Sequence, residues 1–298
     1  MKRVAIITGG RSSERDVALR SAQNVRSVLR DRYAIEVFDF PADLSRFLNQ
    51  KFDAVIPVLH GAGGEDGVIQ GFLETLGAPY IFSGVQAHAI AMDKDKTKTL
   101  VAASGIRVPR SVMLCDRSGV QYVHPVVVKP YNGGSSVATA VARSQEELDA
   151  AIAKALEYSS AVLVEDFVQG DECTVAIADI DGETTALPVI AIRPKSGFFD
   201  FESKYNTATL ADEICPAPIS DDLAKQLQSI ALTAHRALGC RHVSRTDIIV
   251  DGDGKGWFLE TNTIPGMTET SLLPKALRAA GKDFAAVLVA WIDGVIKN

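Results

Sequence analysis

The sequence contains few of the features that mark secreted, membrane-spanning or nucleic-acid-binding proteins. Its 298 residues include only four cysteines, Cys115, Cys173, Cys215 and Cys240, and no Cys-x-x-Cys pair. This scatter predicts reduced structural thiols in the cytoplasm. No apolar run approaches the ~20 residues of a membrane span, and the apolar run near the N-terminus is too short for a signal peptide. A net charge of −6 without a long basic run argues against nucleic acid or an anionic membrane as the main partner.

Two well-known ligand-binding motifs are also missing. Gly9-Gly10 precedes a predicted helix, but no Gly-x-Gly-x-x-Gly pattern follows, so support for a nicotinamide-binding fold is weak. The run that begins at Asp251 has the length of an EF-hand calcium loop. It carries Lys255 at the fifth position and Asn262 at the twelfth, where that loop needs Asp or Asn and a bidentate Glu. The calcium-loop interpretation therefore fails.

The hydrophobic pattern predicts a chain of three parts with mixed α/β and α+β structure. Residues 1–93 alternate strands and helices, which favours a doubly wound parallel sheet. The expected strands lie at 4–8, 35–40, 54–59 and 80–82. The first helix is expected from about Ser13, where Ser13-Glu-Arg-Asp16 resembles a capping box. Residues 94–169 follow the order β, glycine-rich loop, β, α, β of a small α+β domain. Residues 170–298 favour antiparallel hairpins, and we expect a cleft between the last two parts.

The segment 245–262 predicts a hairpin with a metal site. A two-residue turn at Asp253-Gly254 would place residues whose numbers sum to 507 opposite each other. The predicted pairs are Val250 with Trp257, Asp247 with Glu260, and Arg245 with Asn262. The facing carboxylates of Asp247 and Glu260 would repel each other unless a hard cation such as Mg²⁺ lies between them. A solvated turn with charged strand ends is the alternative interpretation.

A second segment carries the groups that phosphates bind. Lys129 ends an apolar strand, and Gly133-Gly134-Ser135-Ser136 follows with backbone N–H groups and hydroxyls. The lysine precedes the glycines, so the segment is not a Walker A loop. Alone, it would also fit a glycine-rich hairpin with an exposed lysine. Together with the predicted metal site and Lys94, it points to ATP.

Seven segments in order along the chain then carry a family resemblance: 9–15, 60–67, 92–94, 128–137, 204–205, 245–247 and 260–272. They resemble the motif series of D-alanine:D-alanine ligases, members of the ATP-grasp superfamily. The run 262–272 is specific to that family, whereas the metal residues alone would fit any ATP-grasp enzyme. The resemblance implies an ATP-grasp fold and a two-step reaction. ATP phosphorylates the carboxylate of one D-alanine, and the amine of a second D-alanine attacks the acyl phosphate, which feeds peptidoglycan synthesis.

The resemblance also implies a metal and nucleotide site. Asp247, Glu260 and Asn262 would hold two Mg²⁺ ions, with Mn²⁺ as a substitute and K⁺ as a further candidate cation. The residues implied for ATP are Lys94, Lys129, Gly134, Ser136, Glu165, Phe167, Val168, Glu172 and Lys204. The lysines at 94 and 129 would contact the phosphates. The segment 165–168 would form the adenine hinge, with the backbone of its last two residues reading the base, and the glutamate at 172 would accept from the ribose. Ordinary strand edge and apolar core is the alternative for the hinge.

The substrate residues implied by the resemblance come from distant segments. Glu14 would accept the ammonium of the first D-alanine and a hydrogen bond from Ser135, which is bonded in turn to Tyr205. Without the family, Glu14 is only an acidic residue at a helix start. His60 follows a predicted parallel strand at the edge where such sheets bind ligands, and would orient or deprotonate substrate. A structural histidine fits that position equally well.

Bond formation is assigned by the resemblance to Arg245 and Gly266. Arg245 would bridge phosphate and the tetrahedral intermediate, and the N–H of Gly266 would donate to the oxyanion. Ser271 and the N–H of Leu272 would hold the second carboxylate at a helix start. The aromatic-rich segment 194–210, which contains Lys204-Tyr205, is expected to be a lid that excludes water.

The sequence departs from the family at three positions. Phe199 stands where many relatives have tyrosine, which removes a hydroxyl from the lid. Phe167 occupies a hinge position that tryptophan or tyrosine often fills, and its ring should preserve stacking. Thr246 replaces an aliphatic residue on the face of the hairpin away from the metal, so it should affect packing. Tyr205 does match the family, where it accompanies dipeptide rather than depsipeptide ligases.

The resemblance further implies a cytoplasmic homodimer that binds ATP and two D-alanine molecules. One alternative is another ATP-grasp carboxylate-amine ligase with a different acceptor. A nucleotide-binding regulatory module without turnover is a second alternative, but it would have no use for both carboxylates and Arg245. A nicotinamide oxidoreductase, based on Gly9-Gly10, is the third.

Overall fold

The computed structural model describes residues 1–116, 120–134, 137–193 and 211–297. Three sheets follow one another along the chain, and the described residues form both parallel and antiparallel ladders, as the mixed α/β and α+β pattern predicted. The domain boundaries at 93 and 169 stay a prediction. Among the described residues, no helix combines the length and the apolar character that a membrane crossing requires.

The first sheet is parallel and has the order β2-β1-β3. Its strands are β1 (Arg3–Gly9), β2 (Ala34–Phe40) and β3 (Ala54–Pro57). The helices of this region are α1 (Arg15–Leu29), α2 (Leu44–Leu48), α3 (Val68–Thr75), α4 (Val85–Met92) and α5 (Lys94–Ala103). The fourth expected strand contributes only an isolated bridge between Tyr80 and Val55. The first sheet therefore has three strands among the described residues, whereas the pattern predicted four.

The start of α1 differs from the predicted capping box. The helix begins at Arg15, and Glu14 occupies the N-cap position without a side-chain cap bond. The hydroxyl of Ser12 donates to the carbonyl of His60 at 2.6 Å. This bond connects the turn before α1 to the loop that follows β3. The prediction of a cap at Ser13 was therefore wrong, because the polar side chains here bind the neighbouring loop instead of the helix backbone.

The second sheet is antiparallel, with the order β4-β7-β5-β6. Its strands are β4 (Ser111–Leu114), β5 (Val126–Pro130), β6 (Ala140–Ala142) and β7 (Val162–Asp166), and helix α6 (Gln145–Ala155) covers it. The predicted cap of α6 is confirmed: Ser144 Oγ accepts from the N–H of Glu147 at 3.2 Å. Valine and alanine side chains from β5, β7 and α6 form a small separate core.

The third sheet has the order β11-β10-β8-β12-β13, with β9 paired to β8. Its strands are β8 (Gly170–Ile180), β9 (Glu183–Ala186), β10 (Ile190–Arg193), β11 (Asp212–Ile214), β12 (Val243–Asp251) and β13 (Gly256–Asn262). The helices are α7 (Asp221–Ala237), α8 (Leu272–Ala279) and α9 (Phe284–Lys297). The largest core joins the first sheet to α8 and α9, with Ile6 and Val25 from one end of the chain and Leu277, Leu288 and Trp291 from the other.

The hairpin of β12 and β13 confirms the predicted pairs at the end away from the turn and corrects the prediction near the turn. Arg245 lies opposite Asn262, and Asp247 lies opposite Glu260. Nearer the turn the register shifts by one residue, so that Val250 faces Gly256 instead of Trp257. The two registers are reconciled by a β-bulge, which leaves Leu259 without an opposite residue.

The turn has three residues instead of the predicted two. The backbone N–H of Asp251 donates to the carbonyl of Lys255 at 3.0 Å, so the loop comprises 252–254. The carboxylate of Asp251 accepts from the N–H groups of Asp253 and Lys255 at 3.0 and 2.9 Å. Gly254 takes the left-handed conformation at φ +75°, which glycine adopts without strain. The prediction failed because the Asp251 side chain closes a longer loop.

Candidate active site

A cavity of about 480 Å³ lies between the second and third sheets. Many of the sequence-predicted nucleotide residues line it: Lys94, Lys129, Gly134, Glu165, Phe167, Val168 and Glu172, together with Asp247 and Glu260. Apolar side chains, among them Val127, Ile249 and Leu259, form much of the remaining wall. An apolar cleft with a few converging charged groups is the usual form of a small-molecule site.

One end of the cavity holds the two facing carboxylates. Asp247 accepts hydrogen bonds from Arg245 through both carboxylate oxygens at 3.1 Å, and from the hydroxyl of Thr174 at 2.6 Å. Glu260 forms an ion pair with Lys94, with Nζ and Oε2 3.1 Å apart. Each carboxylate therefore has a cationic partner, which offsets the repulsion between the two acids.

The oxygen atoms at this end fit a hard divalent cation. Two carboxylates and the amide oxygen of Asn262 come from adjoining positions of one hairpin, and hard cations prefer such oxygen ligands. Within the described ranges, no group of three or more His, Cys, Asp and Glu side chains is arranged to hold a metal. A metal here would therefore take its other ligands from phosphate oxygens and water, as Mg²⁺ commonly does beside a nucleotide.

The lysines and the glycine-rich loop meet along one wall. Lys94 Nζ donates to the carbonyl of Gly133 at 2.5 Å, which links α5 to the loop that follows β5. Lys129 Nζ lies 2.7 Å from Glu165 Oε2. Gly133 and Gly134 border the cavity. Ser135 and Ser136 lie outside the described residues, as do Lys204, Tyr205, Phe199 and the whole expected lid at 194–210.

The expected adenine hinge is at the end of β7. Glu165 is almost fully buried, and Phe167 and Val168 border the same cavity. The N–H of Phe167 donates to the carbonyl of Pro125 at 3.1 Å, so this donor is already used within the protein. Glu172, on β8, lines the opposite wall. The predicted hinge residues thus border one cavity, and among their backbone groups the N–H of Phe167 is already bonded.

Four titratable side chains lie close together, those of Glu14, His60, Glu65 and Arg245, and the second and third of them are buried. The Glu14 carboxylate passes close to two glycines: a Cβ added at Gly134 would lie 2.8 Å from Glu14 Oε2. Glu65 accepts from the N–H of Gly61 at 2.7 Å. Burial, reinforced by the negative charge of Glu14, raises the pKa of Glu65 to about 8. A carboxyl with this pKa is largely protonated at neutral pH.

Within this cluster His60 is neutral, whereas Arg245 is a cation. Burial lowers the pKa of His60, and the Glu14 carboxylate only partly offsets this effect, so the imidazole is neutral near pH 7. Its Nε2 has no hydrogen-bond partner among the described residues. Burial also opposes the charge of Arg245, but the Asp247 carboxylate outweighs it and holds the arginine pKa above its ordinary value. The cluster thus offers a fixed cation beside a neutral base.

The motif at 262–272 brings several hydrogen-bonding groups together at the start of α8. Ser271 is the N-cap residue, and its hydroxyl accepts from the N–H of Thr268 at 3.0 Å. The helix starts at Leu272, as predicted, and the N–H groups of its first turn have no partner within the helix. A Cβ at Gly266 would lie 2.9 Å from Ser271 Oγ, so this approach requires glycine. These groups could bind an anion.

Sequence reasoning missed three residues of the site. Lys98, one turn after Lys94 on α5, lies 2.7 Å from Glu165 and is buried. Thr174 supports Asp247 from the neighbouring strand. Glu65 belongs to a quoted motif but received no role. The four-residue spacing from Lys94 to Lys98 was a usable signal, because such residues share a helix face; no spacing in the sequence connects Thr174 to Asp247.

Known proteins match this chain along most of its length. The model "D-ala D-ala ligase C-terminus" matches residues 108–293, and "D-ala D-ala ligase N-terminus" matches residues 36–83. The D-alanine–D-alanine ligase of Alcanivorax borkumensis is 43% identical over 282 residues, which cover 95% of this chain and 90% of that relative. The relative of the same name from Desulfotalea psychrophila is 43% identical over 308 residues and covers 98% and 94%.

Solved structures show the same relationship. D-alanine–D-alanine ligase from Bacillus anthracis, complexed with ATP, superposes with a TM-score of 0.85 at 30% identity and covers 100% of this chain and 99% of that one. VanG D-Ala:D-Ser ligase from Enterococcus faecalis superposes with a TM-score of 0.85 at 31% identity and covers 99% of each chain. The ATP-grasp fold, the ordered motifs and these similarities agree, and the chain belongs to the D-alanine–D-alanine ligase family.

Proposed function

We propose that this enzyme joins two D-alanine molecules into D-alanyl-D-alanine at the expense of ATP, for peptidoglycan synthesis. The observation that carries the proposal is the meeting, in one cavity, of the Asp247 and Glu260 carboxylates with Lys94 and Lys129, while Arg245 binds Asp247 from the side. Phosphoryl transfer needs such charges, because its catalysis consists mainly of positioning and electrostatic stabilisation.

In the first step, the γ-phosphoryl group of ATP is transferred to a carboxylate oxygen of the first D-alanine, and ADP leaves. Lys94 and Lys129 contact the phosphates. Asp247, Glu260 and Asn262 would hold Mg²⁺, which would neutralise phosphate charge. Glu14 accepts the ammonium of this substrate from its position beside Gly61 and Gly134. Support comes from the burial of both lysines at the cavity wall, where charge interactions are stronger than in water.

In the second step, the amine of the other D-alanine attacks the carbonyl carbon of the acyl phosphate, and phosphate leaves. Arg245 and the N–H of Gly266 stabilise the oxyanion of the tetrahedral intermediate. His60 is neutral and has an unused ring nitrogen, so it can orient the amine or take its proton. Ser271 and the N–H of Leu272 hold the carboxylate of this second substrate at the start of α8.

Several further properties belong to the same proposal. Two Mg²⁺ ions serve the reaction, Mn²⁺ can replace them, and K⁺ is a candidate activator. The enzyme works as a cytoplasmic homodimer. Ser135, Ser136, Lys204 and Tyr205 complete the site from segments outside the described residues. The resemblance of the motifs supports these properties, and light scattering of the purified enzyme tests the dimer.

An acceptor scan tests the proposal. ADP release is measured with ATP and Mg²⁺ in the presence of D-alanine, L-alanine, D-serine or D-lactate, and the products are identified by mass spectrometry. We expect turnover that depends on D-alanine and yields the D-alanine dipeptide. The match to VanG D-Ala:D-Ser ligase favours a second candidate, in which D-serine is the preferred acceptor. A higher kcat/KM for D-serine would replace the first assignment with the second, and no D-amino-acid-dependent ADP release would overturn both.

A further inference from the structure

A buried triad of two lysines and one glutamate lies beside the cavity, whose wall includes Lys129 and Glu165. Lys98 Nζ lies 2.7 Å from Glu165 Oε1, and Lys129 Nζ lies 2.7 Å from Glu165 Oε2. All three residues are buried, and Lys98 and Glu165 are each exposed by only 3%. Because each oxygen has its own lysine, the carboxylate is held from both sides. Lys98 comes from α5, whereas the other two residues come from β5 and β7.

The charges of this triad do not cancel. One carboxylate would be neutralised by Lys129 alone, yet a second lysine is taken out of water to reach it, and burying a charge is costly. In contrast, Lys94 forms its ion pair with Glu260 at the metal end. The additional positive charge at Glu165 therefore needs a reason beyond the stability of an ion pair.

The reason lies in what Lys129 does when ATP binds. Under the function proposed above, on which this inference rests, Lys129 contacts the phosphates, so its positive charge is shared between the phosphates and Glu165. A buried glutamate without a cation takes up a proton, because burial disfavours the charged form. Burial works against the Glu165 charge here too, but Lys129 and then Lys98 outweigh it and hold its pKa below the ordinary value.

We propose that Lys98 is a positioning residue that keeps Glu165 an anion while Lys129 binds phosphate. Glu165 thereby selects a base that carries an amino group on the edge facing its carboxylate. An ionised carboxylate only accepts hydrogen bonds. The ionised carboxylate can accept a hydrogen bond from the 6-amino group of adenine. It has no proton to donate to the 6-oxo group of hypoxanthine or guanine. A protonated Glu165 would donate to the oxo group, so loss of Lys98 should relax this selection.

The test compares ATP with ITP, which carries a 6-oxo group, in Lys98→Met, Lys98→Arg and the unaltered enzyme. We expect Lys98→Met to lower the ratio of kcat/KM for ATP to that for ITP by at least tenfold, through a higher KM for ATP with little change in kcat. Lys98→Arg keeps the cation and should restore most of the ratio. The matched control is Lys96→Met, on the same helix, where the lysine is exposed and pairs with Asp93; its ratio should equal that of the unaltered enzyme.

A second variant keeps the proposal testable if Lys98→Met folds poorly. Glu165→Gln has no ionisable group, so it should lower the ATP to ITP ratio by itself, and Lys98→Arg in that background should change nothing further. An unchanged ratio in a folded Lys98→Met would overturn the role of Lys98, and an unchanged ratio in Glu165→Gln would overturn selection by Glu165. Either result differs from failure of the proposed function, because in the latter case the unaltered enzyme itself shows no D-alanine-dependent ADP release.

Discussion

Glu260 illustrates how a single charge can serve two roles in one site. Its carboxylate pairs with Lys94 and faces Asp247 across the hairpin. Glu260→Gln keeps the shape of the side chain but removes one charge from the metal pair. We expect turnover at saturating ATP and Mg²⁺ to fall at least ~10²-fold, equivalent to about 2.7 kcal/mol of barrier.

Steady-state kinetics with a melting curve checks this expectation. The control is Asp253→Asn, which removes a carboxylate from the exposed tip of the same hairpin, where it pairs with Lys255. The control should retain normal turnover, and both variants should melt close to the unaltered enzyme. Near-normal turnover of Glu260→Gln at low Mg²⁺ would remove this residue from the metal site.

His88 predicts how stability depends on pH. It is fully buried, its Nδ1 lies 2.6 Å from Thr263 Oγ1, and burial lowers its pKa to about 4. Because the unfolded chain takes up a proton near pH 6.5 and the folded one does not, stability present above pH 6.5 is lost as the pH falls toward 4. The maximum slope for one proton is about 1.4 kcal/mol per pH unit.

Urea unfolding between pH 7.5 and 4.5 measures this contribution. The difference in unfolding free energy between the unaltered enzyme and His88→Gln should shrink as the pH falls through this window. Leu76→Gln, at an exposed position without an ionisable group, serves as the control and should change the free energy equally at every pH. A constant difference for His88→Gln would show that His88 titrates alike in both states.

The facing carboxylates of Asp247 and Glu260 were predictable residue by residue, but the side chains that support them were not. A strand repeats every two residues, so Arg245, Asp247 and their partners on β13 followed from counting alone. Thr246 was also correctly assigned to the opposite face, where its hydroxyl meets that of Thr261 at 3.0 Å. Thr174 supports Asp247 through pairing of β8 with β12, two strands more than 60 residues apart in sequence. Such long-range pairing leaves no local signal.

At the scale of elements, the bulge in β13 decides which side chains enter the cavity. In a regular strand, neighbouring residues point to opposite faces. Leu259 and Glu260 are neighbours, yet both line the cavity, while Phe258 is fully buried against α7 and α5. The register shift between Asp247 and Ile248 permits this arrangement. The bulge thus adds an apolar wall beside the metal ligands without moving them.

Two alanine substitutions at adjacent positions should therefore have different effects. Leu259→Ala removes part of the cavity wall, and we expect KM for ATP to rise roughly tenfold with the melting temperature nearly unchanged. Phe258→Ala opens a hole in the core and should cost about 3 to 5 kcal/mol of unfolding free energy. Kinetics and thermal melting of both variants provide the measurement. A large loss of stability in Leu259→Ala would contradict its placement at the cavity.

Sequence reasoning succeeded for elements with strong periodicity and failed where side chains bind across elements. The α6 cap at Ser144 was predicted correctly because its partner lies three residues away. The cap at Ser13 was wrong because the neighbouring Ser12 binds the loop at His60, 48 residues away in sequence. The tip of the hairpin was misplaced by the carboxylate of Asp251, whose bonds to Asp253 and Lys255 outweigh the turn preference of Asp253-Gly254.

At the scale of the whole molecule, the first and last segments of the chain share one core. Trp291 on α9 packs against Phe82 and stacks on His242, and its indole N–H donates to the carbonyl of Asp179 at 2.7 Å. Tyr33, at the end of the α1 region, donates to Asp293 at 2.8 Å. The parallel sheet and the large antiparallel sheet are therefore not separate folding units, even though the strands of the second sheet lie between them in sequence.

Trp291→Ala tests this connection. We expect a loss of about 3 to 5 kcal/mol in unfolding free energy. Because α9 contacts both sheets, amides of β1 and of β8 should lose hydrogen-exchange protection together. The control is Tyr158→Ala, since Tyr158 is a large exposed side chain near the second sheet. Loss of protection in β8 alone would show that the sheets unfold independently.

The shared core also sets an order for folding during synthesis. Nascent domains generally fold from the N-terminus as they emerge. Here α1 covers part of the inner face of the first sheet, and α8 and α9, which are synthesised much later, complete the cover. The apolar side chains of β1 and α1 therefore stay partly exposed until these later helices have been synthesised. The first sheet precedes the other two in sequence, yet its core is completed after the strands of both have been made.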